Sequence, residues 1–73
     1  MSDPEAAMMR VLYDEHAQAL WRYALRLTGD PARSEDIVQE TLLKAWSHPD
    51  VAADPDRSVR AWLFTVARNM IID

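Results

Sequence analysis

Residues 36–46 read DIVQETLLKAW, and their spacing decides the fold class. On a wheel at about 100° per residue, with Asp36 at the origin, Gln39, Glu40, Leu43 and Ser47 fall within about 60° of it. Ile37, Val38, Thr41, Leu42, Ala45 and Trp46 occupy the other side. One face is expected in a core; the other is an acidic, polar stripe with a leucine in its middle. Asp30 ahead of Pro31 is a helix start, so a helix over 31–47 is predicted.

The flanking segments follow the same period. Pro4 to Thr28 predicts a first helix, with Asp3 as its N-cap and Pro4 in the first turn. Met9, Leu12, Tyr13, Leu20, Ala24 and Leu27 recur at three- and four-residue steps as its core face, and Gly29 closes it as the residue beyond the C-cap. HPDVAADPDRS (48–58), with two prolines and several aspartates, reads as a loop. A third helix is expected over 58–73, with Val59, Leu63, Val66, Ala67 and Met70 on its apolar face, widened by Phe64 and Ile71. No stop signal follows, so the chain is expected to be a fragment cut within a helix. The expected architecture is all-α, a compact three-helix domain with helices about 4–28, 31–47 and 58–73.

Seventy-three residues make one small domain. At 49% hydrophobic residues the chain is not disordered, and a single glycine favours helix over sheet. There is no cysteine to form a disulfide or thiolate metal site. His16 and His48 are too distant in sequence to suggest a paired ligand, so neither metal nor cofactor is expected. The acidic N-terminus MSDPEAAMM is no signal peptide, and no apolar run approaches a membrane span. A cytoplasmic protein without membrane insertion is expected. There is no Ser-His-Asp or Cys-His arrangement, glycine-rich phosphate loop or HExxH, so an enzyme is not expected.

Charge is distributed unevenly. The net charge is −4, yet eleven of the twelve acidic residues lie in 1–56, while 57–73 carry Arg57, Arg60 and Arg68 against Asp73 alone. Two surfaces for two partners are implied. On the helix at 31–47, Asp36, Gln39 and Glu40 could pair with basic groups around Leu43 as apolar anchor; an ordinary solvated face with one exposed leucine fits as well. On the last helix, Trp62, Thr65 and Asn69 share a flank, with Arg68 adjoining. A tryptophan at the core edge beside a surface amide is one reading. The other is a stacking plane and a base-reading amide, with Arg60 and Arg68 for phosphates, suited to single-stranded nucleic acid.

DIVQETLLKAW (36–46), the loop rich in proline and aspartate, and RAWLFTVARNMIID (60–73) together resemble the second conserved domain, region 2, of the extracytoplasmic-function (ECF) sigma factors. LYDEHAQALWRYALRLTGD (12–30) is similar to the lead-in helix of that domain, and the wording resembles an actinobacterial SigL-type subgroup. The resemblance implies that Asp36, Gln39, Glu40 and Leu43 dock on the coiled coil of the RNA polymerase β′ clamp. It implies that the loop Ser47–Val59 captures a base flipped from the non-template single strand of the promoter −10 element. Arg57, Arg60, Trp62, Thr65, Arg68 and Asn69 become candidates for DNA contact and strand opening, and an anti-sigma factor is an expected regulator. The whole chain, 1–73, is then expected to be sigma domain 2, with the −35-binding domain absent from it. A helical interaction module, bound by such a regulator without DNA recognition of its own, is the alternative.

Overall fold

The turn between the first two helices shows how local chemistry sets the architecture. Gly29 adopts φ +68°, a left-handed conformation that only glycine takes without strain. Its N–H returns to the Leu25 carbonyl at 2.8 Å, closing the helix. Asp30, extended at φ −124° and ψ 110°, then accepts the N–H groups of Ala32 and Arg33 at 3.0 and 3.3 Å on Oδ1. The chain thus reverses in two residues, and the helices on either side pack antiparallel.

The computed structural model describes residues 3–53 and 58–72. Helix α1 spans Pro4–Thr28, α2 Pro31–Ser47, α3 Pro49–Ala53 and α4 Val59–Ile72; no strand occurs among the described residues. The fold is all-α, as expected. The Asp3 carbonyl accepts the first bond of α1 from Ala7 N–H at 2.9 Å. Ser58 caps α4: its Oγ accepts Ala61 N–H at 3.2 Å and its carbonyl accepts Trp62 N–H at 3.1 Å.

α4 packs on both α1 and α2. The core they share holds Leu12, Leu20 and Ala24 of α1, Ile37, Val38, Leu42 and Ala45 of α2, and Leu63 and Ala67 of α4. Tyr23 of α1 meets Phe64 of α4 edge-on, with ring centroids 5.1 Å apart and planes at 66°. Among the described residues no helix is long and apolar enough to cross a membrane.

Three expectations need correction. Residues 49–53, read as loop, form α3. Pro49 takes the first helical position, where its missing N–H costs nothing, and buried Val51 anchors the turn to the rest of the domain. Trp46, assigned to the core, is 43% exposed because it lies on the same side of α2 as exposed Gln39, about 20° away. Tyr13 and Leu27 are also about half exposed. The buried line of α1 runs instead through Leu12, His16, Leu20 and Ala24, at four-residue steps that leave Tyr13 and Leu27 on its flanks.

Candidate functional site

Asp36, Gln39, Glu40 and Leu43 are all exposed on one side of α2, and Leu43 is 57% open. Their opposite neighbours Ile37, Val38, Thr41 and Leu42 are buried, which holds the stripe rigidly outward. Among the described residues Asp36 and Glu40 form no ion pair, so both carboxylates are available to a basic partner.

The stripe borders a groove that the sequence pattern did not reveal. Met9 and Tyr13 of α1 and Gln39, Leu42 and Leu43 of α2 enclose an apolar depression of about 220 Å³. A larger depression of about 360 Å³ shares Tyr13 and Gln39 with it and is lined further by Ala17, Trp21 and Val38 and by the polar Asp14, Gln18 and Glu35. Trp46 lies seven residues from Gln39 and so only about 20° away on the helix. That spacing could have placed it on the stripe. The result is an apolar strip edged by carboxylates, able to take apolar side chains from a partner of basic character.

The second candidate face lies on α4. Thr65 and Asn69 are exposed, and Trp62 is half-buried, leaning on the core with part of its indole open. Thr65 Oγ1 donates to the Ala61 carbonyl at 2.9 Å, which leaves its oxygen free to accept. Arg68 is exposed and borders Thr65 on the wheel. Arg60 does not join this flank. Its guanidinium sits 5.0 Å from the Phe64 ring centroid, on the far side of α4 from Trp62. Arg57 lies outside the described residues. His48, which the sequence did not mark, comes up against Trp62 with ring centroids 5.8 Å apart.

No group of three or more His, Cys, Asp or Glu side chains that could hold a metal ion occurs among the described residues.

Comparison with known proteins places the chain in a family. The chain is 75% identical over 69 residues to the ECF RNA polymerase sigma factor SigL of Mycobacterium tuberculosis (strain ATCC 25618 / H37Rv), a match covering 94% of this chain and 39% of SigL. It is 36% identical over 62 residues to the ECF RNA polymerase sigma factor SigM of Bacillus subtilis (strain 168), covering 85% of this chain and 37% of SigM. To the ECF RNA polymerase sigma factor BldN of Streptomyces coelicolor (strain ATCC BAA-471 / A3(2) / M145) it is 35% identical over 69 residues, 94% of this chain and 26% of BldN. The chain thus spans two-fifths or less of the length of these relatives. Sigma-70 region 2 matches residues 12–73, from the first buried leucine of α1 through the end of α4. The chain belongs to the sigma-70 region 2 family.

Proposed function

We propose that this chain is the part of an alternative sigma factor that docks on the β′ clamp coiled coil of RNA polymerase and recognises and helps melt the promoter −10 element. The observation that carries this reading is the presence of two exposed faces of different chemistry, on α2 and α4, fixed to one core.

In this reading the α2 face acts first. Asp36, Glu40 and the rim carboxylates Asp14 and Glu35 attract a basic helical surface. Leu43, Tyr13 and Trp46 then lose water against its apolar side chains, and such central apolar anchors carry most of the affinity of an interface. The net charge of −4 suits this order. A domain repelled by duplex phosphates overall gains its DNA contacts once polymerase has brought the promoter to it.

The α4 face acts on the opened strand. Flipping a base costs a few kcal/mol of unstacking, and stacking on an aromatic ring returns about 1–3 kcal/mol per base. Trp62 offers that ring, the Asn69 amide can both donate to and accept from a base edge, and Arg68 meets phosphate. Holoenzyme reconstituted with the complete sigma factor tests both faces. Glu40→Lys is expected to abolish binding to core polymerase while helical content stays unchanged. Trp62→Ala and Asn69→Ala are expected to keep polymerase binding and lose permanganate reactivity of the −10 thymines. Normal assembly by Glu40→Lys rules out the α2 assignment, and unchanged footprints rule out the α4 one.

A second reading is favoured by the exposed apolar side chains around the groove, Tyr13, Leu43 and Trp46, which suit a helical regulator of the anti-sigma kind equally well. If the chain were only such a module, it would bind its regulator yet show no preference for a −10 single strand over a scrambled one.

A further inference from the structure

His48 is an exposed residue between two helices, yet its ring is held in place. It is the C-cap of α2, with its N–H on the Ala45 carbonyl at 3.2 Å. The next residue is Pro49, which narrows the backbone choices open to His48. Its Nδ1 lies 2.8 Å from the Lys44 carbonyl. A carbonyl only accepts, so Nδ1 carries the hydrogen and the ring is fixed about its side-chain bonds. In that position it meets the Trp62 indole at 5.8 Å between centroids, with planes inclined at 54°, within the range of aromatic pairs.

Trp62 is therefore gripped from two directions. The core cluster supports one part of the indole and His48 another, leaving the remainder open beside Thr65 and Asn69. An unsupported indole on an exposed helix flank would sample several rotamers, and a base stacking on it would have to arrest that motion. A ring already arrested avoids this ordering cost. We propose that His48 is a positioning residue for Trp62, holding the indole in the plane that a base of the opened single strand stacks on. The inference rests on the assignment of the α4 face to DNA given above. It adds a contributor from the C-cap of α2, fourteen positions before Trp62, that belongs to neither the docking stripe nor the α4 flank.

The experiment uses the complete sigma factor bound to core polymerase. The probe is a single-stranded oligodeoxynucleotide carrying the −10 non-template sequence of a promoter that the wild-type holoenzyme opens. Trp62→Ala is expected to weaken binding of the probe by about five- to hundredfold, the span of one lost stacking contact. His48→Ala is expected to weaken it by about three- to tenfold, with polymerase affinity unchanged, and His48→Phe, which keeps the ring but not its Nδ1 bond, to recover part of that loss. In the Trp62→Ala background, His48→Ala should add nothing further, since its effect passes through the indole.

Wild-type probe binding by His48→Ala, beside impaired Trp62→Ala, overturns the inference and leaves the DNA reading standing. So does recovery by His48→Asn but not by His48→Phe, which would assign the ring nitrogen rather than the ring. Loss of polymerase binding by His48→Ala also overturns it, because that marks a structural role only. A silent Trp62→Ala removes the DNA reading itself, and the role of His48 with it.

Discussion

The hydroxyls of Thr28 and Ser34 lie 3.2 Å apart across the turn that joins α1 to α2. Each has one hydrogen and a nearer carbonyl for it: Thr28 Oγ1 donates to Ala24 at 2.8 Å, and Ser34 Oγ donates to Asp30 at 2.7 Å. Thr28 Oγ1 also accepts Asp30 N–H at 3.2 Å. The Asp30 N–H thereby ties the last turn of α1 to the residue that caps α2, with the two hydroxyls in contact beside it. Thr28→Val keeps the shape and deletes these bonds, so a loss of about 1 kcal/mol is expected. For a domain of this size that is a fall in melting temperature of about 4–8 °C, measured by circular dichroism.

Gly29 provides a cleaner backbone test. A Cβ built there meets nothing within 4 Å, so space is not the constraint. The φ of +68° is, and Gly29→Ala is expected to destabilise by about 1–2 kcal/mol in urea unfolding. Gly29→Asn should lose less, since asparagine tolerates the left-handed region better. Equal losses for both would point away from backbone strain as the cause.

Leu42 and Leu43 are adjacent and should fail in opposite ways. Leu42 is 3% exposed, and Leu42→Ala is expected to lower stability by about 2–5 kcal/mol through the cavity it leaves. Leu43→Ala removes an exposed anchor, so its melting curve should stay within about 0.5 kcal/mol of wild type. Its affinity for core polymerase should fall by about 1–2 kcal/mol, roughly five- to thirtyfold. A titration of labelled polymerase checks the second figure.

Thr41 presents the reverse case of a buried hydroxyl. Its side chain is fully enclosed, and Oγ1 finds no hydrogen-bond partner among the described residues. Thr41→Val replaces that oxygen with a methyl group of nearly the same size. A gain of about 1 kcal/mol is expected, because an unpaired buried hydroxyl costs that much or more. A loss of stability would mean that the hydroxyl has a partner after all.

The two arginines of α4 separate by position. Arg68 is exposed beside the Trp62 flank, whereas Arg60 is seated on Phe64. Arg68→Ala should weaken single-strand binding by the holoenzyme and reduce its logarithmic salt slope by about one. Arg60→Ala should leave that slope unchanged and instead cost about 0.5–1 kcal/mol of stability, the value of an exposed cation–ring contact.

The limits of α1 and α2 were legible in the sequence because their determinants are local. Gly29, Asp30 and Pro31 specify the turn almost by themselves. α3 was not, since Pro49 is equally a breaker or a first helical residue, and buried Val51 decides between them. The wheel separated Asp36, Gln39, Glu40 and Leu43 from Ile37, Val38 and Leu42 correctly. Trp46, only about 20° from Gln39, belonged on that stripe by angle alone, whereas Tyr13 of α1 is exposed because the neighbouring helix does not cover it. The groove needs two helices, and the His48–Trp62 contact joins residues fourteen positions apart, so no single period contains either. The same wheel already set Arg60 about 160° from Trp62. The roles proposed for the two faces rest on motif resemblance rather than on periodicity.

The two-residue reversal at Gly29 and Asp30 also bears on the order in which the domain is made. Closing so short a connection costs little chain entropy, and helical hairpins rich in local contacts form quickly. Leu63 and Ala67, by contrast, reach a core whose other members lie far back in the chain. The α1–α2 hairpin and its acidic stripe can therefore assemble before α4 docks and completes the core.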